Sequence, residues 1–288
     1  ILKKTKLTQY QKKNISNNNI DQYKLLKKLE LSESKISELI NYANKKKIKI
    51  FFSVFDIESI NFIKSFKINL FKIPSGEINN LPYLTAMGKL KSKLILSTGM
   101  ANIEEIDLAI KTLIKSGTPK KNIIVMHCNT EYPSPIEDIN MRSMLTIKNK
   151  FKVEIGYSDH SNSDEVPIVA VSLGAKVIEK HFTISKKLNG PDHKTSLDPK
   201  QFKKMAQNIR NTESILGSYL KKPSKSELKN IKIVRKSIVA LKDIKKGEVF
   251  SSSNLTVKRP GTGISPIYWD RYIGKVSRKN FKKDSLIN

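Results

Sequence analysis

Six short apolar runs, each followed by a stretch of helical spacing or a polar loop, constrain this chain more than any other feature. They are "KIKIFFS" (47–53), "LFKIPS" (70–75), "KLILST" (93–98), "NIIVMHC" (122–128), "VEIGYSD" (153–159) and "AKVIEKHF" (175–182). Continuous apolar runs, unlike alternating ones, belong to strands buried on both faces. Such burial marks a parallel sheet covered by helices. The intervening "SESKISELINYANKKK" and "NIEEIDLAIKTLIKSG" carry helical spacing, with Asn102 placed to cap the second and Gly117 to end it. Repeated strand–helix units leave two architectures, an open doubly wound sheet or a (β/α)8 barrel.

The polar residues at the run ends separate the two. They are Ser53, Ser75 with Glu77, Ser97 with Thr98, His127 with Asn129, Asp159 with His160, and His181. A barrel gathers all its strand ends around one mouth, whereas an open sheet joins only those at its switch point. No GxGxxG follows any run. The expected fold is therefore α/β, a (β/α)8 barrel of the TIM type. Only six strands are countable and the sequence starts at Ile1, so about two first strands are expected to be missing. After "QFKKMAQNIRNTESILGSYL" the polar "KKPSKSELKN" reads as a linker, and turns at Gly247, Pro260, Gly261 and Gly263 punctuate a small β-rich module. The expected boundaries are 1–220 for the barrel, 221–232 for the linker and 233–288 for the module.

Composition narrows the partners. The 288 residues, 38% of them hydrophobic, suffice for a sizeable core. Lys and Arg number 54 against 26 Asp and Glu, a formal net charge of +28 that first suggests nucleic acid. The lysines are dispersed in short groups such as "NKKKIK", with no zinc-finger, RNP-like or basic-zipper pattern, so no nucleic-acid partner is expected. Steeply salt-dependent DNA binding is the signature of the contrary reading. Cys128 is alone, which excludes an intramolecular disulfide and points to a reducing compartment. The amino end has no apolar signal core, and "VPIVAVSLGAKVI" contains a Lys and is too short to cross a bilayer. A soluble, cytoplasmic protein without a membrane partner is expected.

His160 and His181 follow consecutive runs, hence neighbouring strands at one rim. Each alone reads as a hydrogen-bonded core histidine. As a pair with carboxylates close by, they favour a divalent ion with positions left for water and substrate. "FKIPSGEINN" offers Lys72, Ser75 and Glu77 around a turn, either as a phosphate cradle with Glu77 managing a proton or as a solvated loop. "LSTGMANIEEI" puts Ser97, Thr98 and Gly99 before a helix start, where N–H groups favour anions. "HCNTEYPSP" brings His127 and Asn129, with Tyr132 and Pro133 shaping the loop, while Cys128 reads as inert packing. "LNGPDHKTSLDP" sets Asp192 and His193 near the mouth, His193 as a plain loop residue.

In order along the chain, "FFSVFD", "KIPSGE", "LSTGMANIEEI", "HCNTEYPSP", "IGYSDHS", "IEKHFT", "GPDHKTSL" and "VKRPGTGISP" resemble the N-acylneuraminate (sialic acid) synthase family. The resemblance implies a TIM-type barrel followed by a small antifreeze-like (SAF) domain. It also implies a reaction in which phosphoenolpyruvate, an N-acetylated aldohexose of the N-acetylmannosamine type and water give a nonulosonic acid and phosphate. By the same resemblance His160 and His181 hold a divalent metal, typically Mn²⁺, with Mg²⁺ or Co²⁺ as alternatives. Lys72, Ser75, Asn129 and Ser158 match positions around phosphoenolpyruvate, and Ser53 stands where the family commonly has threonine. Tyr132 falls on the substrate side, Glu77 beside the reacting carbons, and Asp192 at the amino sugar. Arg259 matches an arginine delivered to the partner subunit, which implies a domain-swapped homodimer. "RPGTGISP" leans towards the neuraminic or legionaminic branch over the pseudaminic one. The family's early glutamate and lysine have no counterpart here. The alternatives are thus an inactive truncated fragment, a sugar-binding remnant, or another metal-dependent barrel aldolase.

Overall fold

The computed structural model describes residues 1–15 and 20–288. The chain divides into two compact units, Ile1–Gly217 and Ser218–Asn288. The first unit begins with helices α1 (Gln9–Asn14), α2 (Gln22–Leu29) and α3 (Glu33–Lys45). Strands and helices then alternate: β1 (Phe52–Ser53), α4 (Ile57–Lys64), β2 (Leu70–Ile73), α5 (Leu81–Lys89), β3 (Lys93–Ser97), α6 (Ile103–Lys115) and β4 (Ile123–Cys128). They continue through α7 (Arg142–Phe151), β5 (Glu154–Asp159), α8 (Val166–Ser172), β6 (Val177–Lys180) and α9 (Pro199–Leu216).

The six strands form one parallel sheet in the order β1-β2-β3-β4-β5-β6. Each strand lies beside the next in sequence, so the sheet has no switch point and is not doubly wound. It is a curled half-barrel. The barrel expected from the sequence was already short of about two strands, and among the described residues the six strands curl without closing, with β1 and β6 as the two edges. Ring closure needs strand number, tilt and stagger to agree, and six strands make only part of an eight-stranded ring. The expected strand over 47–53 contracts to Phe52–Ser53, which pairs on one side only, with β2. At the other edge Leu197 extends the pairing, its N–H donating to the His181 carbonyl and its carbonyl accepting from Thr183 N–H, both at 2.9 Å.

The central strands β3, β4 and β5 are buried at both parities, which is why they read as unbroken apolar runs. Between sheet and helices lies the main core, with Ile73, Met87, Leu94, Leu96, Leu113 and Val125 all 0% exposed. Full burial of each such side chain stabilises by roughly 1.5–3 kcal/mol. On the concave face a smaller cluster of Ile95, Ile124 and Met126 packs with Leu70 and Val177 and floors the site above it. Helix starts follow their caps. Asn102 accepts from Glu105 N–H while the Glu105 side chain accepts from Asn102 N–H. Past the end of that helix, Gly117 takes φ 122°, open to glycine at little cost.

The second unit has an antiparallel pair, β7 (Ser237–Ala240) and β8 (Leu255–Lys258), around a core of Ile238, Ala240, Ile244, Phe250, Leu255, Phe281 and Ile287. The stretch expected as a linker, 221–232, instead holds most of helix α10 (Lys225–Val234). The reason is local: Ser224 and Glu227 form a reciprocal capping box that starts the helix. Gly261 packs against its end, where a Cβ would sit 2.7 Å from the Arg235 Cβ. No helix among the described residues is long and apolar enough to cross a membrane.

Candidate active site

The register of β5 against β6 builds the site. Ser158 is paired with Glu179 and Asp159 with Lys180. Side chains alternate along a strand, so Ser158 and Glu179 face the concave side together, followed there by His160 and His181. The two imidazole rings meet edge to face with centroids 5.3 Å apart. Ser158 Oγ donates to Glu179 Oε1 at 2.7 Å and lies 3.2 Å from His160 Nε2. The same Glu179 oxygen is 2.9 Å from Lys72 Nζ, which reaches in from β2. Lys72, Glu179, Ser158, His160 and His181 thus form one connected line across the concave face.

The loops complete it. His160 Nδ1 is 2.5 Å from the Asn129 carbonyl, a contact that requires the proton on Nδ1 and leaves a lone pair on Nε2. Burial holds His160 down at about 4, aided by its neighbours His181 and Lys72 and opposed by the Asn129 carbonyl and Glu179. At neutral pH it is therefore a neutral imidazole. Tyr132 stacks on His160 at 4.1 Å and meets the edge of His181 at 5.3 Å. Burial pushes its hydroxyl up, so it stays a protonated donor. Tyr10, from α1, lies against the Tyr132 ring at 4.7 Å, and Asn14 Nδ2 donates to the Pro191 carbonyl at 2.7 Å. Asp192 Oδ2 is 3.8 Å from His181 Nδ1, while its buried Oδ1 has no partner among the described residues.

Ser75 adjoins this line. Its Oγ accepts from Gly99 N–H at 3.0 Å and lies 3.4 Å from Cys128 Sγ. Gly99 makes the approach possible, since a Cβ there would sit 2.5 Å from Thr130 Cγ2. Ser53, paired in register with Lys72, and Glu77 are brought together at the β1 end of the same face. They line a cavity of about 720 Å³ beside β1 with Phe52, Val54 and Asp56, and Asn80 Nδ2 donates to Glu77 Oε2 at 2.6 Å. Arg259 follows β8 in the second unit and is exposed. The other two histidines, of which the sequence reads His193 as a plain loop residue, make separate contacts. His127 points to the helix side, 2.8 Å from the Ile139 carbonyl, and burial lowers its pKa. His193 Nδ1 bonds Thr183 Oγ1 at 2.8 Å.

Sequence reasoning missed Glu179 and Tyr10. Glu179 carried a signal, because it stands two residues before His181 on one strand and must share its face. Tyr10 had none, since its partner Tyr132 lies far along the chain. Among the described residues no group of three or more His, Cys, Asp or Glu side chains is poised to hold a metal by itself. The fit to a divalent ion rests on the two imidazoles. The His160 Nε2 lone pair has only a shared hydroxyl to receive, its other nitrogen is fixed by a carbonyl, and Asp192 Oδ1 waits unpaired nearby. Such donors suit a cation whose other positions belong to water and substrate.

Residues 1–221 match the NeuB family, and residues 235–288 match the SAF domain. The chain belongs to the NeuB family. It is 48% identical to the N,N'-diacetyllegionaminic acid synthase of Campylobacter jejuni, covering 99% of this chain and 85% of that protein. It is 32% identical to the human N-acetylneuraminate-9-phosphate synthase over 80% of this chain and 64% of that one. Among solved structures, the N-acetylneuraminic acid synthetase of Leptospira borgpetersenii, in complex with citrate, aligns with a TM-score of 0.68 at 32% identity. That alignment covers 77% of this chain and 76% of the other. Relatives of this NeuB chain are thus synthases of legionaminic and sialic acids.

Proposed function

We propose that this NeuB chain joins phosphoenolpyruvate and water to an N-acetylated aldohexose of the N-acetylmannosamine type, giving a nonulosonic acid and phosphate. The observation that carries the reading is the connected line from Lys72 through Glu179 and Ser158 to the facing His160 and His181. It sets a cation, hydroxyl donors and imidazole lone pairs along one concave wall, where an enol phosphate and an aldehyde must be held side by side.

In this reading C3 of the enol phosphate attacks the aldehyde carbon, whose oxygen takes a proton to become a hydroxyl. Water adds at C2, and phosphate leaves with C–O cleavage. Lys72, Ser75, Asn129 and Ser158 hold the phosphate and carboxylate of phosphoenolpyruvate, with Ser53 at the far end of the same wall. His160 and His181 would hold a divalent ion (Mn²⁺, or Mg²⁺ or Co²⁺ in its place), which would supply Lewis-acid polarisation of the aldehyde. Glu77 keeps one carboxylate oxygen beyond its bond to Asn80, with which to move a proton beside the reacting carbons. Asp192 and the protonated hydroxyl of Tyr132 orient the amino sugar. Arg259 reaches the site of a partner subunit in a domain-swapped homodimer, covering the mouth and excluding water.

The Campylobacter relative, matched along nearly the whole chain, favours a sugar bearing two acetamido groups. The test is phosphate release from phosphoenolpyruvate with a panel of N-acetylated six-carbon aldoses and Mn²⁺. Release that depends on the sugar supports the reading; release with no sugar, or none with any, overturns it. For the domain swap, inactive His181→Ala and Arg259→Ala proteins are mixed. Recovered activity supports delivery of Arg259 between subunits, and its absence after subunit exchange refutes it.

A further inference from the structure

We propose that Asp159 and Lys180 are a positioning pair that sets the separation of the two facing imidazoles, and so the affinity of the site for its cation. This rests on the reading of His160 and His181 as metal ligands. The two side chains are 0% and 2% exposed and lie 2.6 Å apart, on the face of the sheet opposite the site. Lys180 Nζ donates to Asp159 Oδ2 at 2.6 Å and to the Ser161 carbonyl at 2.5 Å, while Asp159 Oδ1 accepts from Ser161 N–H at 2.8 Å.

The placement makes this more than a bond between strands. Asp159 precedes His160 and Ser161 follows it, so one ammonium group grips both residues flanking the first histidine. Lys180 itself precedes the second. Backbone ladder bonds alone leave the end of β5 free to fray at its last residue, and His160 lies just beyond that end. The ammonium ties the segment back to β6 at the position where the second imidazole starts. Two fully desolvated charges are a poor way to gain stability, since apolar residues of like volume commonly hold a core as well or better. What the charged pair supplies and an apolar pair does not is a fixed direction and length at both histidines.

That contrast gives the experiment. The double variant Asp159→Leu/Lys180→Met replaces the pair with apolar volume. Mn²⁺ binding to full-chain protein, by titration calorimetry and by the spin resonance of the free ion, is read beside the melting temperature. The expected result is a melting temperature near or above that of the parent with Mn²⁺ bound at least tenfold more weakly. In the synthase assay at saturating Mn²⁺, kcat falls while KM for phosphoenolpyruvate changes little. Parent-like Mn²⁺ affinity in a folded double variant overturns the proposal and leaves the pair a packing device. Should that variant not fold, Asp159→Asn keeps an acceptor for Ser161 N–H and removes only the charge. Weakened Mn²⁺ binding in it supports the proposal, and unchanged binding overturns it. A parent protein that binds no Mn²⁺ removes the two-histidine reading first, and this proposal with it.

Discussion

Ser158→Ala is the sharpest perturbation of the connected line, because it deletes one oxygen and leaves every ring and charge in place. That oxygen donates to Glu179 Oε1 at 2.7 Å and lies 3.2 Å from His160 Nε2. Glu179 also holds Lys72 Nζ at 2.9 Å, so the hydroxyl steadies the carboxylate that steadies the cation. A hydrogen bond to a charged group is worth about 1.5–3 kcal/mol. If that energy is realised where phosphoenolpyruvate is held and turned over, kcat/KM for it falls about ten- to 150-fold, at 1.36 kcal/mol per tenfold. The fold should tolerate the change, since β5 keeps its ladder bonds to β4 and β6 and the lost group is small. The assay is initial-rate phosphate release at fixed sugar and varied phosphoenolpyruvate, with circular dichroism melting as the control. A variant that melts like the parent and keeps kcat/KM within twofold would refute the idea that this hydroxyl links the lysine to the imidazoles.

His181→Ala should abolish metal-dependent turnover, and undiminished activity in EDTA would end the metal assignment altogether. Leu113→Ala, in the α6 face that is 0% exposed, should destabilise by about 2–5 kcal/mol, checked by urea denaturation. Acid should weaken the fold through its buried histidines. His127 and His160 are both held below the ordinary imidazole range by burial, so the unfolded chain takes up their protons first as pH falls. Stability is then full above about pH 6.5 and declines below it, by up to about 1.4 kcal/mol per pH unit for each group until its native pKa is reached. Urea midpoints at pH 7 and pH 5 measure the fall, and a flat profile counts against the burial of these rings.

The strand pattern was readable because each run carries its own cause. Apolar residues at both parities in "KLILST" and "NIIVMHC" cannot serve a half-wet sheet, and β3 and β4 are buried accordingly. Asn102 and Glu105 announced the start of α6 by chemistry local to four residues. The same signature stands at Ser224 and Glu227, but the surrounding lysines and Pro223 give the stretch the polarity of a linker, which hides the start of α10. At the site, His160 and His181 were legible as a pair because each follows its own strand. Glu179 was legible in principle from alternation, but nothing local says that its carboxylate meets Lys72. Ser53 and Glu77 show the same limit: both end or follow strands, but nothing local says that they line one cavity beside β1.

By itself, then, the sequence determined the six strand-forming runs and their parallel character, the start of α6, and which polar residues stand at strand ends. Those follow from period, caps and turn chemistry, all of which act over a few neighbouring residues. Tertiary structure alone decided that Glu179 bridges Lys72 to Ser158, that Tyr10 covers Tyr132, and that Asp159 and Lys180 meet in the dry interior. These contacts join residues far apart in the chain, and their partners are selected by strand register and burial. Neither can be computed from a residue's neighbours, because each depends on how the whole sheet curls.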